Sequence, residues 1–146
     1  MSPLLALLLS VLLCTSLAAA FEVFAFLLEA EASVWAALPW HRLATVCLAG
    51  WLDPALVAAA HEAGVRVVFI ANYPKEELLN ASHRAAWVGE QVAYARRHGL
   101  DGVNFDFEEP VAVGGAESRA YTRLVKEAVA TFHRQLPGSQ VRSPVG

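Results

Sequence analysis

The chain has 146 residues, of which 56% are hydrophobic and 17% charged, and its formal net charge is −3. This length favours one domain, and the composition supplies enough apolar side chains for a core, which excludes an intrinsically disordered protein. The lysines and arginines form no cluster or stripe, so we expect no nucleic acid partner.

The first twenty residues are predicted to be a secretory signal peptide. An apolar run covers residues 4–13, and the small residues Ala18 to Ala20 predict cleavage before Phe21. The run is shorter than the roughly 20 residues needed to span a bilayer, so a membrane anchor is the less favoured alternative. We therefore expect residues 1–20 to be removed by cleavage, and residues 21–146 to form a soluble mature protein.

One cysteine and one glycosylation motif remain after that cleavage. Cys47 stands alone in an apolar run, which predicts a buried thiol and no disulfide framework or zinc site. Asn80-Ala81-Ser82 is an N-glycosylation sequon, so Asn80 is a candidate glycosylation site in a chain that enters the secretory pathway.

Strand-like and helix-like segments alternate through the rest of the chain. The predicted strands are short and apolar or aromatic, and they cover residues 21–27, 43–49, 65–70 and 102–107. The predicted helices cover residues 55–63, 83–98 and 117–135, while the link between the first two strands is poorly defined.

Capping residues support the helix boundaries. Asp53 followed by Pro54 is typical of a helix start, and Gly64 and Gly99 are typical of helix ends. Ser82 is the predicted cap of the helix over residues 83–98.

Alternating strands and helices indicate a parallel sheet covered by helices. Two folds are compatible with this order. One is an open doubly wound sheet, and the other is a (β/α)8 barrel, which needs about 250 residues. Four βα units make only half a barrel, so without a motif the open sheet is favoured.

The segment DGVNFDFEEP at residues 101–110 contains the candidate catalytic residues. Side chains alternate along a strand, so Asn104, Asp106 and Glu108 lie on one face and the apolar residues between them on the other. Burying an unpaired carboxylate is costly, so this face does not belong to an ordinary core. The acidic residues either form a functional cluster or mark a strand end that is exposed to solvent. Barrel enzymes carry catalytic groups at the carboxyl ends of parallel strands, and paired carboxyl groups suit cleavage of glycosidic bonds.

The pattern Asp-Gly-x-x-x-Asp-x-Glu resembles the signature of glycoside hydrolase family 18, the chitinases and their relatives. It matches Asp101, Gly102, Asp106 and Glu108, and Asn104 stands where many members have Asp but the chitobiase branch has Asn. The resemblance spans roughly residues 21–141. It implies the first half of a (β/α)8 TIM barrel with four βα units.

The resemblance also implies a mechanism. Glu108 would protonate the glycosidic oxygen, and Asp106 would orient the substrate's own acetamido group as nucleophile. Asp101 would hold Asp106 or the strand end, and Asn104 would extend the polar network. The implied substrate is the GlcNAc-β-1,4-GlcNAc core of asparagine-linked glycans, cleaved in the lysosome or outside the cell without a metal or organic cofactor.

Similarity to the family stops after Val141, which predicts that residues 21–146 are a partial catalytic domain, truncated after the fourth βα unit. Open edge strands and an exposed apolar inner face would follow. We therefore hypothesise that the chain alone is poorly stable and inactive, or pairs with a second copy to close a barrel. An alternative is a non-catalytic chitinase-like carbohydrate-binding protein, although such lectins usually lack the acid that Glu108 supplies.

A few other residues are weaker candidates. Asn72 and Tyr73 follow the third strand and either line a sugar pocket or form a plain turn. Trp51 is the best candidate for stacking on a sugar, whereas Trp87 is predicted to pack in the core, and Glu109 is predicted to be a solvated neighbour of the site.

Overall fold

The computed structural model describes residues 22–29 and 31–143, so the predicted signal peptide lies outside the described residues. Five parallel strands form one sheet, in which the strand order follows the chain order. The strands are β1 (Phe24–Leu27), β2 (Thr45–Leu48), β3 (Arg66–Ala71), β4 (Gly102–Phe105) and β5 (Gln140–Arg142).

In the described part of the chain, four α-helices connect the strands. They are α1 (Ala32–Ala36), α2 (Pro54–Glu62), α3 (Ala81–His98) and α4 (Ala116–Gln135), with short 3₁₀ turns at Trp40–Arg42 and Lys75–Glu77. Helix α1 and the first 3₁₀ turn occupy the link between β1 and β2 that the sequence left undefined. The fifth strand was not predicted. None of the described helices is long and apolar enough to cross a membrane.

The helix caps are confirmed at three of the four predicted positions. Asp53 accepts a hydrogen bond from the Ala55 amide at 2.8 Å, and Gly64 and Gly99 adopt the left-handed conformation that ends a helix. The prediction for Ser82 is wrong, because α3 begins at Ala81 and Ser82 lies inside its first turn. Asn80 is the cap, and its side-chain oxygen accepts from the His83 amide at 3.1 Å.

One face of the sheet packs against the helices. Phe105 lies 5.5 Å from the ring of Trp87 on α3, and Phe107 stacks on Tyr121 of α4 with 4.6 Å between ring centroids. Trp87 therefore packs in the core, as predicted. Buried residues of β2, β3 and β4 and of α2, α3 and α4 form a single apolar cluster on this side: Val46, Leu48, Val67, Phe69, Val103, Leu56, Val92, Leu124 and Phe132.

Strand order decides between the two predicted folds. A doubly wound sheet reverses its strand order at a switch point, whereas the strands of a (β/α)8 barrel follow one another around the barrel. The observed order β1-β2-β3-β4-β5 therefore corresponds to consecutive units of a barrel wall.

The opposite face, which would line a barrel, is partly covered by side chains from its own edge strands. Arg142 of β5 pairs with Glu22 at 3.1 Å, and its guanidinium lies 5.5 Å from the centroid of the Phe24 ring of β1. Cys47 and Val68 are fully buried on this face, whereas Phe26 remains 51% exposed. The expected exposure of an apolar inner face is thus confined to the β1 edge.

Candidate active site

Asn104 lies on the inner face of β4, and Asp106, the first residue after the strand, lies on the same side. As the alternation of side chains predicts, their neighbours Phe105 and Phe107 face the helices on the other side of the sheet. Asn104 and Asp106 line a cavity of about 320 Å³ whose other main walls are the two β1 aromatic residues, Phe24 and Phe26, and Arg142 and Ser143 at the β5 edge. Asn104 is buried, and Asp106 is partly exposed.

Asp106 and Glu108 line a second cavity, of about 610 Å³, where β3 and β4 end. The exposed Glu108 lies on its wall, and Asp106 belongs to both cavities. The other lining residues come from the two segments that follow these strands: Asn72, Tyr73, Pro74, Lys75, Glu76, Phe107 and Glu109. The structure therefore brings Asp106 and Glu108 to one concave surface at the carboxyl edge of the sheet.

Asp101 lies at the other end of the strand. Its carboxylate accepts a hydrogen bond from the Val67 amide at 2.7 Å and lies 2.8 Å from Nε2 of His61. Five residues of extended chain, at about 3.3 Å each, separate it from Asp106 by about 16 Å. Asp101 thus ties the amino end of β4 to β3 and α2, and it makes no contact with Asp106.

Gly102 explains why the segment begins with Asp-Gly. Its φ angle is +151°, and a Cβ atom added there would lie 1.8 Å from the Gln140 carbonyl oxygen. Only glycine allows the backbone of β5 to approach β4 this closely. The motif glycine therefore has a packing role at the β4–β5 pair.

The negative charge of Asp106 contributes to the raised pKa of two other groups, Cys47 and Tyr121. Burial, and secondly the Asp106 carboxylate, raise the pKa of the Cys47 thiol from its ordinary 9.0 to about 12. Burial is also the main cause of the raised pKa of Tyr121, to which Asp106 adds, while a hydrogen bond between the Tyr121 and Ser143 hydroxyls opposes it. Cys47 therefore stays protonated and is a poor nucleophile near neutral pH.

The weaker candidates separate into two groups. Asn72 and Tyr73 do line the larger cavity, although the Tyr73 side chain is buried and its hydroxyl bonds the Glu77 carbonyl at 3.1 Å. Trp51 donates its indole N–H to the Leu27 carbonyl at 3.1 Å and lines neither cavity. Glu109 is exposed and lies on the cavity wall beside Glu108.

Lys75, Arg142 and the β1 aromatics are cavity residues that the sequence did not single out. Their place depends on contacts between segments far apart in the chain, such as Lys75 with Pro110. No local pattern marks them. Among the described residues, no group of three or more His, Cys, Asp or Glu side chains is arranged to hold a metal ion.

The chain is similar in sequence to di-N-acetylchitobiases. It is 39% identical over 120 residues to the protein of Bos taurus, covering 82% of this chain and 67% of the bovine one. It is 36% identical to the Rattus norvegicus protein and 35% identical to the Homo sapiens protein, each over 121 residues and 83% of this chain. It spans 32% and 31% of the length of those two relatives. A scan against models of protein families gives no match.

The fold is shared with a solved chitinase and with a solved spore cortex-lytic enzyme. The Bacillus cereus spore cortex-lytic enzyme SleL aligns with a TM-score of 0.64 at 15% identity, over 84% of this chain and 34% of that one. A Rhizomucor miehei chitinase aligns with a TM-score of 0.62 at 17% identity, over 84% and 45% of the two chains. At these identities the likeness concerns the fold alone, and it confirms the barrel-type interpretation over the doubly wound one.

Proposed function

The chain belongs to the di-N-acetylchitobiase branch of glycoside hydrolase family 18, and on that premise we propose that it carries the proton-donating and acetamide-orienting carboxyl groups of a chitobiase-type glycosidase. The proposed reaction is hydrolysis of the GlcNAc-β-1,4-GlcNAc bond. The observation that carries the proposal is the shared cavity of Asp106 and Glu108 where two parallel strands end. The non-catalytic alternative lacks a comparable observation in its favour.

Glu108 is the proposed general acid. It is exposed on the cavity wall, so a sugar in the cavity can reach its carboxyl group without displacing core residues. In the first step the Glu108 carboxyl donates its proton to the glycosidic oxygen as the bond from C1 to that oxygen breaks. In the second step the Glu108 carboxylate takes a proton from the water that attacks C1.

Asp106 and Asn104 are the proposed partners of the substrate's acetamido group. The acetamido oxygen attacks C1 and closes an oxazolinium ion, in the substrate-assisted manner that departs from the scheme with two catalytic carboxylates. The Asp106 carboxylate orients the acetamido N–H and offsets the positive charge that develops there. Asn104, buried beside it on the same face, extends the polar surface toward the smaller cavity.

We propose the core of asparagine-linked glycans as the substrate and the lysosome as the place of action, reached through the secretory pathway. Asn80 is exposed, and its cap acceptor is the amide oxygen, which a glycan on the amide nitrogen leaves in place. Glycosylation of Asn80 is therefore compatible with α3. Release of a glycan by peptide N-glycanase from the secreted chain, but not from its Ser82→Ala variant, tests this assignment.

The proposed activity is tested by measuring GlcNAc release from di-N-acetylchitobiose by the full chain, by Glu108→Gln and by the neighbouring control Glu109→Gln. We expect the Glu108 variant to lose at least about 100-fold in kcat, the usual contribution of a general acid, while its affinity for the sugar is retained. The Glu109 variant should stay within about threefold of the wild type.

Two results would contradict the proposal. One is equal release by Glu108→Gln and the wild type. The other is no release by the wild type at any protein concentration, which is the outcome that the rival hypothesis of an inactive chain predicts. The assay should cover a range of concentrations, because pairing of two copies predicts that specific activity rises with concentration. Robust turnover by a monomer would refute the pairing hypothesis while supporting the activity.

A further inference from the structure

The 3₁₀ turn Lys75–Glu77 is fixed firmly to the helices beneath it. The Tyr73 hydroxyl donates to the Glu77 carbonyl at 3.1 Å, and the Arg84 guanidinium donates to the Leu78 carbonyl at 2.6 Å. Arg84 is 4% exposed and pairs with Glu127 of α4 at 3.1 Å. A buried, paired guanidinium is costly to disturb, so this turn is a rigid support at the cavity edge.

Lys75 projects from that support to the segment that carries Glu108. Its ammonium donates to the Pro110 carbonyl and lies 3.8 Å from the Glu117 carboxylate. Pro110 is two residues beyond Glu108, and Glu117 is in the first turn of α4. One side chain thus contacts both ends of the loop that joins Glu108 to α4.

Val111 also attaches the loop, because it is partly buried and packs against the core. Arg119 donates to the Gly114 carbonyl, but this contact lies within the segment and the helix that follows it. The residues that line the larger cavity include four carboxylates, those of Glu76, Asp106, Glu108 and Glu109, and Lys75 is the one cation among them. Repulsion among the ionised members of this group favours opening of the loop, and the Lys75 charge opposes it.

We propose that Lys75 is a positioning residue that holds the loop of residues 108–115 and thereby keeps the Glu108 carboxyl over the cavity. The link to catalysis rests on the proposed function of Glu108, whereas the hold on the loop does not. The opposing expectation is that Lys75 is an ordinary surface charge, whose ion pair contributes nothing measurable.

The chain contains two lysines, which gives a matched control. Lys126 is exposed on α4 and lines neither cavity, so Lys126→Met removes the same charge without touching the loop. Lys75→Met removes both contacts, and Lys75→Arg keeps a cation able to donate to the Pro110 carbonyl.

Amide hydrogen exchange across residues 108–115, measured in the full chain, tests the hold on the loop. We expect Lys75→Met to exchange at least about tenfold faster there, which corresponds to loss of one charge-assisted hydrogen bond. Lys75→Arg and Lys126→Met should exchange like the wild type. Unchanged exchange in Lys75→Met would overturn the proposal.

Kinetics on di-N-acetylchitobiose tests the effect on Glu108. Lys75→Met should lower kcat about tenfold or more with KM within about twofold, because misplacement of the acid affects the chemical step more than binding, and Lys75→Arg should restore most of kcat. Faster exchange with unchanged kcat would overturn the positioning role. An inactive wild type would refute the proposed function instead. The hydrogen-exchange comparison would then still test whether Lys75 holds the loop.

Discussion

Asp106 lines both cavities, and its charge adds to the effect of burial in raising the pKa of the Cys47 thiol. The side-chain alternation along residues 104–108 could be predicted from sequence because a strand has a period of two. The hydrogen bond of Asp101 to Val67 and the reach of Lys75 to Pro110 could not, because they depend on how β4 and its loop are placed against β3.

The raised pKa of Cys47 gives stability a dependence on alkaline pH. The folded thiol keeps its proton up to about pH 12, while the unfolded thiol releases it near the ordinary value of 9.0. The stabilising contribution is therefore complete below pH 9 and is lost as the pH rises toward 12, at up to about 1.4 kcal/mol per pH unit. Tyr73 and Tyr121, whose pKa values are raised from an ordinary 10.0, add to this loss only above about pH 10.

Urea unfolding between pH 8 and pH 10.5 measures this dependence. Cys47→Ala should lose stability less steeply than the wild type above pH 9, because the thiol no longer contributes. Identical slopes for the two proteins would show that Cys47 does not hold its proton in the fold.

At the scale of elements, the positions of four strands and of three helices could be predicted from apolar runs and caps. The three-residue strand β5 was missed because its sequence, Gln140–Arg142, has no apolar pattern, and its place depends on pairing with β4. Ser82 is the cap expected from sequence because it precedes the predicted helix over residues 83–98, but the helix begins two residues earlier, at Ala81, after the cap Asn80.

Gly102 is the position at which the β4–β5 pair is most sensitive to sequence. Gly102→Ala places a methyl group against the Gln140 carbonyl, so we expect a loss of at least about 2 kcal/mol in the free energy of unfolding. Gly89 is the control, because it lies on an open part of α3 with nothing within 4 Å. Gly89→Ala should stabilise by about 0.5–1 kcal/mol, and equal effects of the two substitutions in urea unfolding would contradict this account.

For the whole molecule, strand order was the property that sequence pattern alone left open. Alternating segments fit both a doubly wound sheet and a barrel wall, and only the motif at residues 101–108 favoured the second. The parallel order β1 to β5, with Arg142 of β5 lying over the ring of Phe24 of β1, shows a curved sheet whose two edge strands are linked by side chains. The sequence-based hypothesis of an inactive or self-pairing chain remains a prediction.

The central claim is that Asp106 and Glu108 act on one substrate as a unit. A double-mutant cycle for hydrolysis of di-N-acetylchitobiose tests it, using Asp106→Asn, Glu108→Gln and the variant with both changes. Each single substitution should lower kcat at least about 100-fold, and the double variant should be no more than about threefold slower than the slower single variant. Losses that multiply in the double variant would mean that the two carboxyl groups work independently, and would contradict the claim.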